Sequence, residues 1–307
     1  MAPRIMSLLP SATEIVCALG LAETLVGVSH ECDFPAEIVG RPVLTEPKLD
    51  PRRSSAEIDR DVRALVADGL SVYRIRVDVL RELKPDLIVT QDQCEVCAVS
   101  LPEVEAAARD CLGSGVEIIS LRPSRLRDVL DDIRHVGEAV DRGSVANDLI
   151  ERLETRLEAL RARHPHLHSR PRVACVEWIE PLMVAGHWIP DLVDLAGGTY
   201  DLVDAGALSP TISWKSLVDS RPDVLVFMPC GFKLEQTRRD LPLATERAEW
   251  RELPAARNRR VYAVDGNAYF NRPGPRLVDS AELLAGLVQP GFYAHLIPSP
   301  SSWQRVE

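Results

Sequence analysis

Leu126, Val129, Leu130, Ile133, Val136 and Val140 repeat at helical spacing, and Ala146, Leu149, Ile150, Leu153, Leu157 and Leu160 carry the pattern onward. Ser124 fits a cap at its start, Pro165 closes it, and Gly143 is a point where it can bend. Such a stripe is much longer than an ordinary globular helix, and its flanks give it a role. On both sides short apolar runs alternate with amphipathic stretches, the pattern of βα units and a mainly parallel sheet. The expected fold is therefore α/β: two Rossmann-like lobes with mainly parallel sheets, joined by one long rigid helix. The predicted divisions are 1–123 for the N-terminal lobe, 124–164 for the connecting helix and 165–289 for the C-terminal lobe. Residues 290–307 form a Pro- and Ser-rich tail expected to wrap or fray. With 307 residues, each half is large enough to bury its own core.

In the first half, strands are expected at 5–9, 25–28, 86–90 and 116–121, with helices at 55–68 and 102–112. Ser11-Ala12-Thr13-Glu14 fits a capping box, and Gly20 fits the stop of the helix it opens. In the second half, strands are expected at 173–177, 224–228 and 261–264, with helices at 189–195, 235–250 and 275–288. One segment echoes across the halves: Lys84-Pro85-Asp86-Leu87-Ile88-Val89 matches Arg221-Pro222-Asp223-Val224-Leu225-Val226.

A formal net charge of -10 with no basic stripe argues against a nucleic-acid partner. No run of about 18 apolar residues occurs, so no membrane insertion is expected. The chain opens directly on a strand pattern, without the basic, apolar and cleavage regions of a secretory signal. Seven cysteines, an odd number without small-scaffold spacing, suit a reducing compartment. Together these features predict a cytoplasmic protein.

Ligands of open parallel sheets bind beyond the carboxyl ends of the strands, so the residues that follow each predicted strand are the candidate site. In the first half these include Ser11 and Thr13, then His30, Cys32 and Asp33, then Gln91, Asp92, Cys94 and Cys97. The second half offers Trp178, Glu180 and Trp188, then Phe232, then Tyr269, Phe270 and Arg272. His30, Cys32, Cys94 and Cys97 carry the imidazole and thiolate donors that zinc or an iron–sulfur cluster favours, although His-x-Cys is an unusual partner for Cys-x-x-Cys. Small buried side chains are the alternative reading of these cysteines, as they are for Cys17, Cys111 and Cys175. Aromatic residues at loop tips suit a broad, flat, partly apolar ligand, and core packing is the alternative for each. No nucleophile elbow, phosphate loop or dinucleotide fingerprint is present, which leans away from an enzyme.

The opening Arg4-Ile5-Met6-Ser7-Leu8-Leu9-Pro10-Ser11-Ala12-Thr13-Glu14 resembles that of substrate-binding proteins of the vitamin B12 and iron-siderophore transport type. The Leu-Lys-Pro-Asp-Leu-Ile-Val stretch ending at Val89 looks like the strand before their cleft. Ser29-His30-Glu31-Cys32-Asp33 and Gln91-Asp92-Gln93-Cys94-Glu95-Val96-Cys97 resemble a cobalamin-binding subgroup. The resemblance implies an ABC transporter-related fold with a corrinoid or similar metal chelate held between the lobes. His30 or Cys32 would then ligate the cobalt, and Trp178, Trp188, Phe232 and Tyr269 would pack on the ring. The competing expectation is a metalloprotein or redox enzyme on the same scaffold, with a His/Cys zinc or iron–sulfur site.

Overall fold

A computed structural model describes residues 2–67, 71–92, 99–298 and 301–307. The chain forms two units, one of residues 1–51, 60–123 and 127–151, the other of 52–59, 124–126 and 152–307.

The first unit is built in chain order from β1 (Ile5–Ser7), α1 (Pro10–Ala18), β2 (Leu25–Val28) and β3 (Thr45–Pro47). Then come α2 (Ser55–Ala67, its first turn counted with the other unit), β4 (Tyr73–Ile75), α3 (Val77–Leu83), β5 (Leu87–Gln91), α4 (Leu101–Leu112) and β6 (Glu117–Leu121). Its sheet runs β2-β1-β5-β6 and is parallel throughout, with Ser7 opposite Val28 on one side and Val89 on the other. Strands buried on both faces read as continuous apolar runs, which is how Ile5-Met6 and Leu87-Ile88-Val89 appear. Met6, Leu8, Leu44, Leu80, Ile88 and Val104 form part of one core cluster. β3 and β4 make a separate antiparallel ribbon.

The expected single long helix is two. α5 (Leu126–Ala139) and α6 (Gly143–Arg161) are separated by a turn in which Asp141 takes a left-handed φ of 56°. The apolar stripe continues through the turn because both helices bury it. Gly137 packs so tightly on Ala146 that an added Cβ would lie 2.5 Å from the Ala146 Cβ. Periodicity reports which face is buried and does not report a reversal between two such faces.

The second unit continues with β7 (Val173–Trp178), β8 (Met183–Val184), α7 (Ile189–Leu195), α8 (Trp214–Asp219), β9 (Val224–Phe227), α9 (Leu234–Asp240) and α10 (Pro242–Thr245). It ends with α11 (Pro254–Arg257), β10 (Val261–Val264), α12 (Leu277–Val288), α13 (Pro290–Tyr293) and β11 (Trp303–Arg305). Its sheet runs β11-β10-β9-β7-β8; the central three strands are parallel and both edge strands antiparallel. The tail thus neither frays nor merely wraps: it closes a sheet edge. The helix expected over 235–250 stops at Asp240, because Pro242 lacks the N–H needed to continue it.

The echoed hexapeptides perform the same task in each unit. Lys84 and Arg221 both end a helix in the left-handed region, at φ 43° and 50°. The following aspartate then grips the unit's first strand. Asp86 Oδ2 accepts from Arg4 N at 2.8 Å while Asp86 N donates to Arg4 O at 2.9 Å. Asp223 Oδ2 accepts from Arg172 N at 2.9 Å while Asp223 N donates to Arg172 O at 2.8 Å. Among the described residues no helix is long and apolar enough to cross a membrane.

Candidate functional site

At the carboxyl end of the first sheet seven buried polar residues of that unit gather: Ser7, Ser11, Thr13, Ser29, Thr45, Thr90 and Gln91. Two hydroxyl chains organise them. Ser7 Oγ donates to Leu9 O at 2.9 Å and accepts from Thr13 Oγ1 at 2.8 Å. With Thr13's one proton committed to Ser7, the 3.1 Å approach of Cys32 Sγ makes the thiol the donor to Thr13. Cys32 thus joins a hydrogen-bonded chain with Thr13 and Ser7.

The second chain orients His30. Thr45 Oγ1 donates to Ser29 Oγ at 3.0 Å and accepts from His30 N at 3.1 Å. His30 Nδ1 lies 2.7 Å from the same oxygen. Because that hydroxyl has a single proton, already given to Ser29, Nδ1–H is the donor and Nε2 carries the lone pair. Burial pushes the His30 pKa down, against the opposing pull of Glu46, and so favours the neutral ring. Tyr73 backs the ring at a centroid distance of 5.1 Å, and its hydroxyl donates to Glu31 Oε1 at 3.0 Å. Among the described residues nothing bonds Nε2. A half-buried neutral imidazole with its far nitrogen open and its near nitrogen tethered is the arrangement of a metal-ligating histidine.

Ser11 departs from its expected role. The helix begins two residues earlier, with Leu9 as the flanking residue and Pro10 in the first turn, so no capping box forms. Among the described residues, Ser11 Oγ is buried without a hydrogen-bond partner, as is Thr90 Oγ1. An unsatisfied buried hydroxyl gains nothing from its polarity. Ser11→Ala is accordingly expected to leave stability unchanged or raise it by up to about 1 kcal/mol, measurable by denaturant titration. A loss of more than that would show that Ser11 has a partner in solution.

Of the remaining first-unit candidates, Asp33 is exposed, Gln91 is buried at the end of β5, and Asp92 pairs with Arg122. Cys94 and Cys97 lie outside the described residues, so half of the expected zinc or iron–sulfur set has no placement. Among the described residues no group of three His, Cys, Asp or Glu side chains could hold a metal ion.

The carboxyl end of the second sheet carries the other candidates. The half-buried Trp178 packs against Phe232 at 5.1 Å and donates its indole N–H to Ser55 O at 3.2 Å. Trp188 is buried and donates to Phe270 O at 2.7 Å. Phe232, Phe270 and Arg272 are buried too, Arg272 donating to Asn267 Oδ1 at 2.9 Å. Tyr269 is half-buried against Phe270, and Glu180 pairs with Arg247 at 3.5 Å. The structure thus gathers Trp178 and Phe232, and separately Trp188, Tyr269, Phe270 and Arg272, while Glu180 faces a salt bridge.

Sequence reasoning missed Glu177. It occupies the penultimate position of β7, where Oε2 accepts from Ser209 Oγ at 2.8 Å. Ser209 is itself fixed by Gly186 N, which donates to its oxygen at 2.9 Å. Burial pushes the carboxyl up to about 7, and the Ser209 bond pulls it partly back. The signal was present as a charged residue in an otherwise apolar strand run, Val173-Ala174-Cys175-Val176-Glu177-Trp178. Glu177 holds its proton more tightly folded than unfolded, so unfolding free energy falls as pH rises from about 4.5 to about 7. Asp132, raised to about 7 by burial and by Asp128 and Asp131, acts in the same sense. Glu177→Gln is therefore expected to flatten, without abolishing, the fall in thermal midpoint across that window. The gain at pH 8 should be on the order of 1 kcal/mol; parallel curves for both proteins would count against the shift.

A model of the family described as periplasmic binding protein matches residues 5–268. The vitamin B12-binding protein of Vibrio cholerae serotype O1 is 26% identical over 290 residues, covering 92% of this chain and 87% of the relative. The ABC transporter substrate-binding lipoprotein YvrC of Bacillus subtilis is 22% identical, covering 94% of this chain and 81% of its own length. The apo structure of the periplasmic heme-binding protein RhuT from Roseiflexus sp. RS-1 superimposes with a TM-score of 0.70 at 22% identity, covering 94% and 99% of the two chains. These matches overturn the expectation of a cytoplasmic protein: periplasmic and lipoprotein binding proteins work outside the cytoplasm. The cysteine argument failed because thiols such as Cys32 and Cys175, hydrogen-bonded or packed in apolar surroundings, serve structure in either compartment. A strand at residue 5 bears on the fold alone.

Proposed function

Because this chain belongs to the periplasmic binding protein family, we propose that it is the substrate-binding component of an ABC-type importer and captures a flat metal chelate of the corrinoid class. The carrying observation is His30, whose Nδ1 is tethered 2.7 Å from Thr45 Oγ1 and whose Nε2 is left with its lone pair. His30 supplies an axial ligand to the chelated metal. Cys32 is left out of this reading, since its Sγ lies 3.1 Å from Thr13 Oγ1 within the hydroxyl chain. The similarity to a vitamin B12-binding protein over 92% of the chain supports a corrinoid as the bound compound.

Heme is the second reading, favoured by the same imidazole, which ligates iron as readily as cobalt. A single experiment separates them. The protein is mixed with hydroxocobalamin or with hemin, desalted, and its ultraviolet–visible spectrum recorded. Retained corrinoid with shifted bands supports the first reading. Retained hemin without corrinoid transfers the assignment to heme, and loss of both compounds on desalting removes the chelate reading altogether.

A further inference from the structure

Glu177 is a carboxyl group with no structural ion pair among the described residues. At the carboxyl end of β7 it stands one residue before Trp178, and its main-chain oxygen accepts from Cys230 N at 3.1 Å in the loop after β9. Ser209 holds only Oε2. The loop carrying Ser209 is pinned to the one carrying Gly186: His187 N donates to Ala207 O at 2.7 Å, and Gly206 N donates to His187 O at 2.8 Å. An added Cβ on Gly186 would lie 2.3 Å from Ala207 O, so the two loops touch through backbone. Beside them Leu208 is 71% exposed, an apolar rim next to a preorganised carboxyl. The titratable groups around Glu177 are Tyr200 and Cys175, held neutral by burial, His187, lowered by burial, and the Cys230 thiol. Tyr200's hydroxyl is committed to Ala185 O at 2.7 Å. No cation among them neutralises the carboxylate.

Granted the chelate-binding reading, we propose that Glu177 is a specificity-determining residue that accepts a hydrogen bond from an amide on the ligand's edge and repels ligands edged with carboxylates. A carboxylate with an open oxygen is a strong acceptor for an amide N–H, and a second carboxylate placed against it meets like-charge repulsion. Porphyrins with propionates fall on the disfavoured side, and rings edged with primary amides on the favoured one. Because burial sets its ionisation near neutral pH, the discrimination is pH-dependent: weak near pH 6, where the carboxyl is mostly protonated and can donate to a carboxylate, and strong near pH 8.

The test uses two compounds with one ring: cobinamide, edged with amides, and cobyrinic acid, edged with carboxylates, both with cyanide on the cobalt. Their affinities are measured by tryptophan-fluorescence titration at pH 6 and pH 8 on the full chain and on Glu177→Gln. In the native protein the preference for cobinamide is expected to grow by about fivefold to tenfold from pH 6 to pH 8, the effect of one like charge near contact distance. In Glu177→Gln the preference should be smaller and independent of pH. The metal and its cyanide ligand are the same in both compounds and cancel from the ratio. Binding of both compounds with the pH trend intact in Glu177→Gln overturns the role of Glu177 while leaving the chelate reading standing. Binding of neither compound, and of neither hydroxocobalamin nor hemin, overturns both.

Discussion

Replacing His30 with alanine is expected to weaken retention of hydroxocobalamin by roughly thirtyfold to a hundredfold, about 2 to 3 kcal/mol. The residual bound spectrum should return to that of the free compound. Both changes follow from one atom. In the proposed complex Nε2 would replace a labile ligand on the metal, with Thr45 holding the ring through Nδ1. Thr45→Val keeps the volume and removes that oxygen, so it should cost about tenfold, as outer-shell partners of metal-bound histidines do. The ordering matters as much as the magnitudes: His30→Ala worst, Thr45→Val intermediate, and Cys32→Ser close to native, because serine can take over the donor role toward Thr13. An unshifted spectrum and native affinity in His30→Ala would falsify axial ligation by this residue.

Gly266→Ala is expected to be the most damaging change to stability outside the core. A Cβ at that position would lie 2.1 Å from Pro229 O and 2.9 Å from Met228 C, contacts with backbone that no rotamer can relieve. Asn271 ties the same place together, its Nδ2 donating to Met228 O and Gly266 O, each at 2.9 Å. Pushing these strand ends apart should cost about 3 kcal/mol, a fall in thermal midpoint of roughly 6 to 12 °C. Scanning calorimetry measures it directly. Gly20→Ala is the matched control: its φ of 76° carries conformational strain but nothing lies within 4 Å of the added atom, so the loss should be about 1 kcal/mol. Equal effects from the two substitutions would show that the close approach at Gly266 relaxes at little cost.

The sheets were legible in the sequence because buried parallel strands leave mostly apolar runs, and the described strands β1, β2, β5, β6, β7, β9 and β10 all fall on them. The short antiparallel pieces β8 and β11 were not, since two or three residues carry no period. The helix pair α5 and α6 read as one rod for the reason that both bury the same kind of stripe, and the turn between them rests on the left-handed Asp141 rather than on Gly143. Within each unit the strand ends followed from the sequence: His30 lies in the loop after β2, and Trp178 is the last residue of β7. What the sequence withheld was orientation: which ring nitrogen is tethered, which thiol proton is engaged, and that Trp188 and Phe270 turn inward. Those depend on Thr45 and Ser29, fifteen residues and more apart along the chain, meeting around one hydroxyl. Glu177 went unnoticed because a carboxylate near the end of a strand looks like an ordinary surface charge until its burial is known.

The second unit is not continuous along the chain. Residues 52–59, which open α2, are counted with it, and Asp240, nearly fully buried, accepts from Ser55 N at 2.7 Å across 185 residues. A ribosome releases residue 55 long before residue 240 exists, so the nascent chain cannot cap the start of α2 from Asp240 until most of the protein has been made. A fragment starting at residue 152 would contain every strand of the second sheet and yet leave the Asp240 carboxylate and the Trp178 indole without their early partner. Dissection of this protein into halves at α6 therefore severs an amide–carboxylate bond that belongs to neither half alone, and assembly is a property of the whole polypeptide.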